Sequence, residues 1–338
     1  MTILVTGGAG YIGTHTVVEL LNAGSEVIVL DNLSNSSIEA LNRVERITGK
    51  SVTFYQGDIL NKALLQKVFS DHNIDAVIHF AGLKAVGESV AKPLKYYENN
   101  VTGTLILCQV MAEFKVKNLV FSSSATVYGD PASLPITEDF PTGATNPYGQ
   151  SKLMVEHILA DLHHSDPSWN IARLRYFNPV GAHASGLIGE DPNDIPNNLM
   201  PFIAQVAVGK RPALSVFGND YPTIDGTAIR DYIHVVDLAK AHVAAVRRLA
   251  DGKVDGYDVF NLGTGKGSSV LEIINAFEQS TGEKLNYKIA PRREGDVEKT
   301  YGDVTKSKNI LGWQTELDLN EMMRSAWEWE KYIKDNPF

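Results

Sequence analysis

The first thirty-one residues hold the pattern that most constrains how this chain can fold. A short apolar run, Ile3 to Val5, leads into the glycine-rich stretch Thr6 to Gly13, and a helical pattern continues to about Gly24. A second apolar run, Val27 to Leu30, ends on Asp31. Strand, glycine turn, helix, strand and acid, in this order, are what a dinucleotide-binding site requires.

Gly7, Gly10 and Gly13 are spaced Gly-x-x-Gly-x-x-Gly, one residue away from the Gly-x-Gly-x-x-Gly form. Glycine lets the backbone turn sharply and approach a pyrophosphate, which then binds free N–H groups at a helix N-terminus. The Asp31 carboxylate can accept hydrogen bonds from both ribose hydroxyls and would repel a 2′-phosphate. The pattern predicts an NAD site, although the glycine turn alone could be an ordinary strand–helix connection.

Composition excludes several other classes of function. A net charge of −9 over 338 residues argues against binding nucleic acid or an anionic membrane. Cys108 is the only cysteine, which rules out intrachain disulfides, and its apolar helical context predicts a core position. The nine histidines show no ligand spacing, so no metal is predicted, and His79 and His234 are interpreted as structural. With a strand beginning at residue 3 and no apolar run of membrane-spanning length, a cytoplasmic protein is predicted.

Strand-like runs alternate with helical patterns through the first half of the chain. The later runs are Val52–Tyr55, Ala76–Phe80, Leu119–Ser122 and Ile171–Arg175, and the helical stretches include about Lys95–Phe114 and Tyr148–His164. Almost continuously apolar strands predict an α/β fold with a doubly wound parallel sheet and helices on both faces. Ligands of such sheets bind at the carboxyl ends of the strands. One crevice can therefore collect the residues just beyond those ends, Asp58, Ala81, Gly82, Lys84, Ser122 and Ser124.

From about Asn178 to Asn198 glycine, proline and asparagine dominate, and the regular alternation is lost. We predict a dinucleotide-binding domain over 1–178 and a smaller, mixed α/β substrate-binding domain over 179–338. Tyr257–Leu262 is again strand-like, so about 230–263 is expected to return to the large sheet. The stretch 263–268 lacks Walker spacing and predicts a strand–helix turn with Ser268 or Ser269 as N-cap.

Tyr148 and Lys152 are four residues apart on a predicted helix and therefore share a face. A phenol is a weak base near neutral pH because its ordinary pKa is about 10. A nearby ammonium and the positive nicotinamide ring lower that pKa, so the phenolate can take a hydroxyl proton while hydride leaves the same carbon. Ser124 can hydrogen-bond the same hydroxyl. An accidental pair of surface residues is the alternative, but of thirteen tyrosines only Tyr148 has lysine four residues later.

These motifs belong to a wider resemblance. The chain resembles the extended short-chain dehydrogenase/reductases, and within them the UDP-glucose (UDP-galactose) 4-epimerase branch. The matching stretches cover nearly the whole chain and are Thr6–Gly13, Leu30–Asn32, Gly57–Ile59, His79–Ser89, Phe121–Gly129, Tyr148–Lys152, Leu174–Ala182, Ile195–Pro201, Phe217–Asp220, Arg230–Ala239 and Pro291–Asp296. The resemblance implies a Rossmann-type sheet, a UDP-sugar substrate and a homodimer formed through helices of the large domain. The stretches 95–114 and 148–164 are the candidate interface helices.

The resemblance also implies a mechanism. Tyr148 would deprotonate the sugar 4-hydroxyl while the C4 hydride passes to NAD, and the 4-keto sugar would turn and take the hydride back on its other face. Lys152 would lower the pKa of Tyr148 and hold the nicotinamide ribose, and Ser124 would position the 4-hydroxyl. NAD would be regenerated in each turnover and retained.

Site residues follow from the motifs and the resemblance together. The predicted cofactor contacts are Gly7, Gly10, Tyr11, Ile12, Gly13, Asp31, Asn32, Asn35, Asp58, Ile59, Phe80, Ala81, Lys84, Asn99, Ser122, Tyr148, Lys152 and Tyr176. The predicted substrate contacts are Ser124, Tyr148, Asn178, Asn198, Leu199, Phe217, Arg230, Arg293, Asp296 and Thr300. Two arginines can fork onto a diphosphate, and an aspartate can accept ribose hydroxyls.

Thr300 bears on substrate range. It lies four residues after Asp296, where the family lines the sugar pocket beside the C2 substituent. A bulky tyrosine there is typical of epimerases restricted to glucose and galactose, and a small residue is typical of those that accept N-acetyl sugars. Thr300 therefore predicts that N-acetylated UDP-sugars are also accepted, whereas a one-residue slip that placed Tyr301 there would reverse the prediction.

Four other kinds of function are weighed against C4 epimerisation. The stretch Ser123–Val127 carries no Asp-Glu pair of the kind that sugar-nucleotide 4,6-dehydratases use, so water elimination is disfavoured. UDP-glucuronate epimerases and decarboxylases share the Tyr–Lys pair and stay open, as does a related NAD-dependent reductase. A non-catalytic NAD sensor ranks last, because it would not need Tyr148, Lys152 and Ser124 together.

Overall fold

The computed structural model describes residues 1–191, 196, 198–252, 256–293 and 296–338. Two of the stretches that carry the family resemblance extend beyond the described residues, which do not include Ile195, Asn197, Glu294 or Gly295. Within the described residues, no helix is both long enough and apolar enough to cross a membrane.

A seven-stranded parallel sheet dominates the fold, as predicted, with strand order β11-β6-β5-β4-β1-β2-β3. In chain order the strands of the protein are β1 (Thr2–Thr6), β2 (Glu26–Asp31), β3 (Thr53–Gln56), β4 (Ala76–His79), β5 (Asn118–Ser122), β6 (Asn170–Tyr176), β7 (Asn178–Val180), β8 (Leu214–Phe217), β9 (Ile229–Arg230), β10 (Tyr232–His234), β11 (Tyr257–Leu262), β12 (Ser268–Ser269), β13 (Tyr287–Ala290) and β14 (Lys299–Thr300). The order reverses between β1 and β4, which is where ligands of doubly wound sheets bind.

Helices cover both faces of this sheet. In chain order the helices of the protein are α1 (Tyr11–Asn22), α2 (Ile38–Thr48), α3 (Lys62–Asp71), α4 (Val86–Ala91), α5 (Pro93–Tyr96), α6 (Gly103–Glu113), α7 (Pro147–Ser165), α8 (Leu199–Ala207), α9 (Val235–Ala250), α10 (Val270–Thr281) and α11 (Leu319–Asp335), of which α8, α10 and α11 belong to a second, smaller body. Alternate residues of one strand reach opposite cores: Ile3 and Val5 join the cluster under α1 and α9, and Leu4 joins the cluster under α3, α6 and α7. The central strands β1, β2, β4 and β5 are mostly apolar because neither of their faces meets water, whereas the edge strand β3 is partly exposed. Cys108 lies in the second cluster, which confirms its predicted core position.

The helix predicted over 95–114 differs from the prediction in its interior. A π-helical stretch, Tyr97–Thr102, separates α5 from α6. Such a stretch adds a residue to the turn and re-aims side chains, which periodicity in the sequence does not reveal. Here the inserted turn carries Asn99 and the buried Asn100.

The second half builds a smaller body of short sheets and helices. Its sheets pair β7 with β10, β8 with β13, and β9 with β12 and β14. Residues of β7, β8 and β10 share a core with α8, α10 and α11. Ser269 caps α10 in a reciprocal capping box with Glu272, as one of the two predicted N-caps. β11 pairs with β6 at the edge of the large sheet. The division into domains at residue 178 stays a prediction.

Candidate active site

The glycine turn is as tight as its sequence requires. Gly7 has φ +72, and a Cβ built on it would lie 2.7 Å from the backbone N of Ala81, so the loops after β1 and β4 touch. A Cβ on Gly13 would lie 2.3 Å from the carbonyl O of Gly7, which locks the first turn of α1 against the end of β1. Gly10 is the N-cap of α1 and has no side chain that could accept hydrogen bonds from the first N–H groups of the helix. These N–H groups can therefore face the crevice. These residues fit a dinucleotide pyrophosphate.

Asp31 ends β2 and organises the loop that follows. Its carboxylate is buried and accepts hydrogen bonds from Ala9 N at 3.0 Å, Leu33 N at 2.9 Å and the Ser36 hydroxyl at 2.8 Å. The acid is therefore fixed between the glycine turn and the next loop. This is where a carboxylate meets the adenosine ribose in a dinucleotide site.

The remaining predicted residues of the adenosine side lie in adjacent loops. Asn32 donates its amide to Asp58 at 2.8 Å, joining the loops after β2 and β3. Ile59 is buried against Gly103, where a Cβ would lie 2.4 Å from its Cδ1. Ile12 packs against the core beside α1, whereas Asn35 is exposed in the loop after Asp31.

The nicotinamide side is built by the ends of β4, β5 and β6 and by α7. Lys152 Nζ donates to the carbonyl O of Ser122 at 2.9 Å and lies 3.6 Å from where a Cβ on Gly82 would be. The Ser122 hydroxyl donates to the Tyr176 phenol at 2.9 Å. Predicted residues from four separate elements therefore meet in one crevice. Phe80 follows β4 and its ring centroid lies 4.7 Å from that of His242 on α9.

Tyr148 and Lys152 occupy the buried face of α7, one turn apart, as their spacing predicts. Asn146 caps this helix by accepting a hydrogen bond from Gly149 N at 2.9 Å, and Pro147 at its first position is preset for a helix. Ser124 follows β5, is buried, and accepts hydrogen bonds from the backbone N and hydroxyl of Thr126. The three predicted catalytic residues thus come together.

Burial shifts both titratable groups of this trio toward neutrality. It lowers the pKa of the Lys152 ammonium from 10.5 to about 8, because a buried cation loses hydration. Burial also raises the pKa of Tyr148, while the hydrogen bond with Ser124 opposes the rise. In the protein alone the phenol therefore keeps its proton. Lys152 with a pKa of about 8 is still mostly ammonium near neutral pH, and positive charge supplied with the cofactor would favour the phenolate of Tyr148.

Asn100 was missed by the sequence prediction, although it neighbours Asn99. Its buried amide accepts from Leu83 N at 2.8 Å, and donates to Leu83 O at 3.0 Å and to the Ser151 hydroxyl at 2.9 Å. The same oxygen accepts from the Asn99 amide at 2.9 Å. Asn100 therefore ties the loop that carries Lys84 to α7. The Asn-Asn pair was the only signal in the sequence.

The predicted residues of the UDP end come from well-separated stretches and largely converge. Arg293 donates to Asp296 through Nε at 3.2 Å and Nη2 at 2.9 Å, and Arg230 Nη2 lies 3.9 Å from the same carboxylate. The Arg293 guanidinium also lies 5.7 Å from the ring centroid of Phe217 at the end of β8. Arg230 pairs in register with Thr300. Two guanidinium groups, an acid and an aromatic face can hold a uridine diphosphate.

Asn178 and Asn198 lie at the starts of β7 and α8. Asn178 begins β7, and its backbone N donates to Asp231 O at 3.0 Å, next to Arg230. Asn198 is the N-cap of α8, but within the described residues its side chain makes no cap bond and instead donates to Glu190 at 3.0 Å. Because Asn198 does not cap them, the first N–H groups of α8, beginning with that of Leu199, suit an anionic group such as a phosphate.

The structure distinguishes Thr300 from Tyr301. Side chains of consecutive extended residues point to opposite sides, so Thr300 and Gly302 share a side. Gly302 lies against Phe177, since a Cβ there would be 2.4 Å from the ring, whereas Tyr301 lies against Gly267, 3.2 Å from where its Cβ would be. Phe177 directly follows Tyr176 of the nicotinamide side. The Thr300 side chain therefore lies on the side of the strand that faces Phe177, and the Tyr301 side chain lies on the opposite side.

Comparison with known proteins agrees with this geometry. The family model described as GDP-mannose 4,6 dehydratase matches residues 4–326. A curated UDP-glucose 4-epimerase of Bacillus subtilis (strain 168) is 63% identical over 330 residues, covering 98% of this chain and 97% of that protein.

Two solved structures are similar over their full length. The UDP-glucose 4-epimerase from Bifidobacterium longum, in complex with NAD+ and UDP, superposes with a TM-score of 0.94 at 57% identity and covers 100% of both chains. The enzyme from Stenotrophomonas maltophila, with bound NAD and formylated UDP-arabinopyranose, has a TM-score of 0.97 at 49% identity and covers 99% of both chains.

Proposed function

This chain belongs to the UDP-glucose 4-epimerase family of the extended short-chain dehydrogenase/reductases, and we propose that it interconverts UDP-glucose and UDP-galactose by reversible inversion at C4. NAD is its cofactor. The observation that carries the proposal is the buried trio of Tyr148, Lys152 and Ser124 beside the glycine turn. Acid pairs for water elimination do not occur in the loop after β5, which reads Ser123-Ser124-Ala125-Thr126-Val127.

Each residue of the trio has one task in this mechanism. Bound NAD supplies the acceptor for the C4 hydride and its return. Tyr148 takes the proton of the sugar 4-hydroxyl and later gives it back, Lys152 stabilises the phenolate, and Ser124 orients the hydroxyl. Inversion requires the 4-keto sugar to present its other face. The site must therefore grip the uridine diphosphate through Arg230, Arg293 and Asp296 while the sugar turns.

An NMR assay of the purified protein tests this function. UDP-galactose is supplied without added NAD, and signals of the C4-inverted sugar are expected because the cofactor is retained and regenerated. If no product appears even after NAD is supplied, the epimerase proposal fails and carboxylated UDP-sugars become the next substrates to test.

We also propose that the pocket admits N-acetylated UDP-sugars. Support comes from the small side chain of Thr300 on the side of β14 that faces Phe177, with the bulky Tyr301 directed toward Gly267.

The substitution Thr300→Tyr is expected to lower kcat/KM for UDP-N-acetylgalactosamine at least tenfold, because the larger ring would occupy the space of the acetamido group. Turnover of UDP-galactose should change less than threefold. The same NMR assay measures both, and Thr300→Val, similar in volume to threonine, is the matched control. Unchanged N-acetyl turnover in Thr300→Tyr would remove this residue from the pocket.

A homodimer is proposed through α4 to α7. Apolar side chains lie exposed on these helices, of which α4, α5 and α7 contact one another: Leu94 is 81% exposed, Val90 63%, Met154 41% and Leu105 on α6 38%. Such a patch on a chain with net charge −9 is more typical of an interface than of a free surface. The cytoplasmic location stays a prediction of the sequence.

Sedimentation equilibrium should give twice the chain mass of 37.0 kDa. The double variant Leu94→Glu, Met154→Glu should give the single mass, because two charges would be buried in the interface. Ile224→Glu, at a residue 90% exposed in the second body, is the control and should stay dimeric. A wild-type protein that sediments as one chain would overturn the dimer.

A further inference from the structure

Glu190 lies where the cofactor side and the substrate side of the crevice meet. Its Oε1 accepts one hydrogen bond from Lys84 Nζ at 3.2 Å and another from Asn198 Nδ2 at 3.0 Å. Lys84 belongs to the loop after β4, beside the glycine turn, and Asn198 begins α8 in the second body. A single carboxylate oxygen therefore holds one residue from each side.

The backbone and the side chain of Glu190 are held separately. Its carbonyl O accepts from Trp329 Nε1 at 3.0 Å, which fixes the backbone whatever the side chain is. The side chain is 12% exposed and lines a cavity of about 20 Å³ with Tyr11 and Gly181. The Tyr11 phenol donates to Gly181 O at 2.6 Å, and Lys84 Nζ lies 6.0 Å from the Tyr11 ring centroid.

The ion pair with Lys84 does not explain an acid at this position through stability. Lys84 is 49% exposed, and ion pairs with so exposed a partner contribute little to folding. The same acid is unfavourable for ligand binding, because the crevice is expected to receive the diphosphates of both NAD and the UDP-sugar. Its two hydrogen bonds also occupy donors that could serve those phosphates.

We propose that Glu190 is a positioning residue that keeps the affinity of the crevice for the UDP group low enough for release. Its charge neutralises Lys84, and its hydrogen bond draws the Asn198 amide toward itself. This inference rests on the proposed epimerase function, in which substrate and product carry the same UDP group. An enzyme that binds both tightly is limited by release, so a weaker grip favours turnover.

The variant Glu190→Gln tests the proposal, since its amide oxygen can still accept from Lys84 and Asn198 but carries no charge. We expect KM for UDP-galactose to fall about fivefold and kcat to fall with it, because the charge of Lys84 is no longer neutralised, attracts the diphosphate and slows its release. Calorimetric titration of the NAD-loaded protein with UDP should give a Kd lower by about the same factor. The difference should shrink in 0.5 M salt, which screens charges.

Asp191→Asn is the matched control, with the same change of charge one residue along the chain. Asp191 interacts electrostatically with Lys210 and Arg43 instead of Lys84. Its KM and Kd should stay within twofold of wild type. The proposal is overturned if Glu190→Gln leaves KM and Kd unchanged or raises them, or if Asp191→Asn lowers them equally. A wild-type protein that does not epimerise UDP-galactose would instead refute the proposed function. The Kd values from the UDP titration would still show whether Glu190 weakens UDP binding.

Discussion

Tyr148→Phe is expected to lower kcat for UDP-galactose about a thousandfold while the protein stays folded and NAD-loaded. The substitution removes only the phenolic oxygen, and a positioned general base typically contributes 10² to 10⁴ in rate. The phenol is buried and accompanied by the Ser124 hydroxyl, so no bulk water takes its place without rearrangement. The coupled appearance of UDP-glucose measures kcat, and NAD released on denaturation measures cofactor content.

Tyr55→Phe is the matched control for this prediction. It makes the same chemical change at a phenol that donates to Asp71 at 3.0 Å, far along the chain from α7. Its kcat should equal that of wild type. If Tyr148→Phe kept more than a tenth of the wild-type kcat, the base would lie elsewhere, and Ser124 would be the next residue to substitute.

The pKa directions of the trio explain why the cofactor matters to this base. Burial holds the pKa of Lys152 at about 8 and raises that of Tyr148, so the protein alone favours a neutral phenol. Proton abstraction needs the phenolate, whereas Lys152 with a pKa of about 8 is already mostly ammonium near neutral pH. We infer that the base becomes competent only when positive charge arrives with bound NAD, which couples proton transfer to a loaded site.

Sequence predicted the large sheet well because each of its strands carries its own signal. Ile3 to Val5 and Leu119 to Phe121 are apolar on both faces, a pattern typical of a parallel sheet covered on both sides. The helical spacing of Tyr148 and Lys152 likewise placed both on one buried face. These are local patterns, readable within a few residues.

Contacts between distant residues could not be read in this way. Glu190 meets Lys84 across 106 positions, and Tyr11 meets Gly181 across 170. In the sequence, Asn100 cannot be distinguished from other polar residues. In the structure, the π-helical turn orients its side chain toward Leu83. Which polar groups meet is decided by packing of whole elements, so the sequence gives candidates for the site but not the network that holds them.

Glu156 is a further long-range residue, and it extends the face of α7 that carries the catalytic pair by one more turn. Its buried carboxylate accepts from Arg175 Nε at 2.9 Å and Nη2 at 2.5 Å, from Arg173 Nη1 at 3.1 Å, and from the Ser123 hydroxyl at 2.6 Å. Ser123 lies between Ser122, which holds Lys152, and Ser124. Burial tends to raise the pKa of Glu156, but the arginines outweigh it and the pKa is lowered. The carboxylate therefore fastens α7 to both β5 and β6.

Glu156→Gln should consequently reduce the free energy of unfolding by about 3 to 5 kcal/mol, because it leaves two guanidinium groups without a buried counter-charge. Urea unfolding followed by tryptophan fluorescence measures the loss, since Trp169 lies in the same core cluster as α7. Glu328→Gln is the control: its pair with Lys331 is about half exposed, so a change within about 0.5 kcal/mol is expected.

A lowered folded pKa stabilises the protein above the ordinary value of 4.5 and ceases to do so as pH falls through the folded pKa. The difference in the free energy of unfolding between wild type and Glu156→Gln should therefore become smaller below about pH 4.5. If this difference does not depend on pH, the loss of stability comes from packing and not from charge.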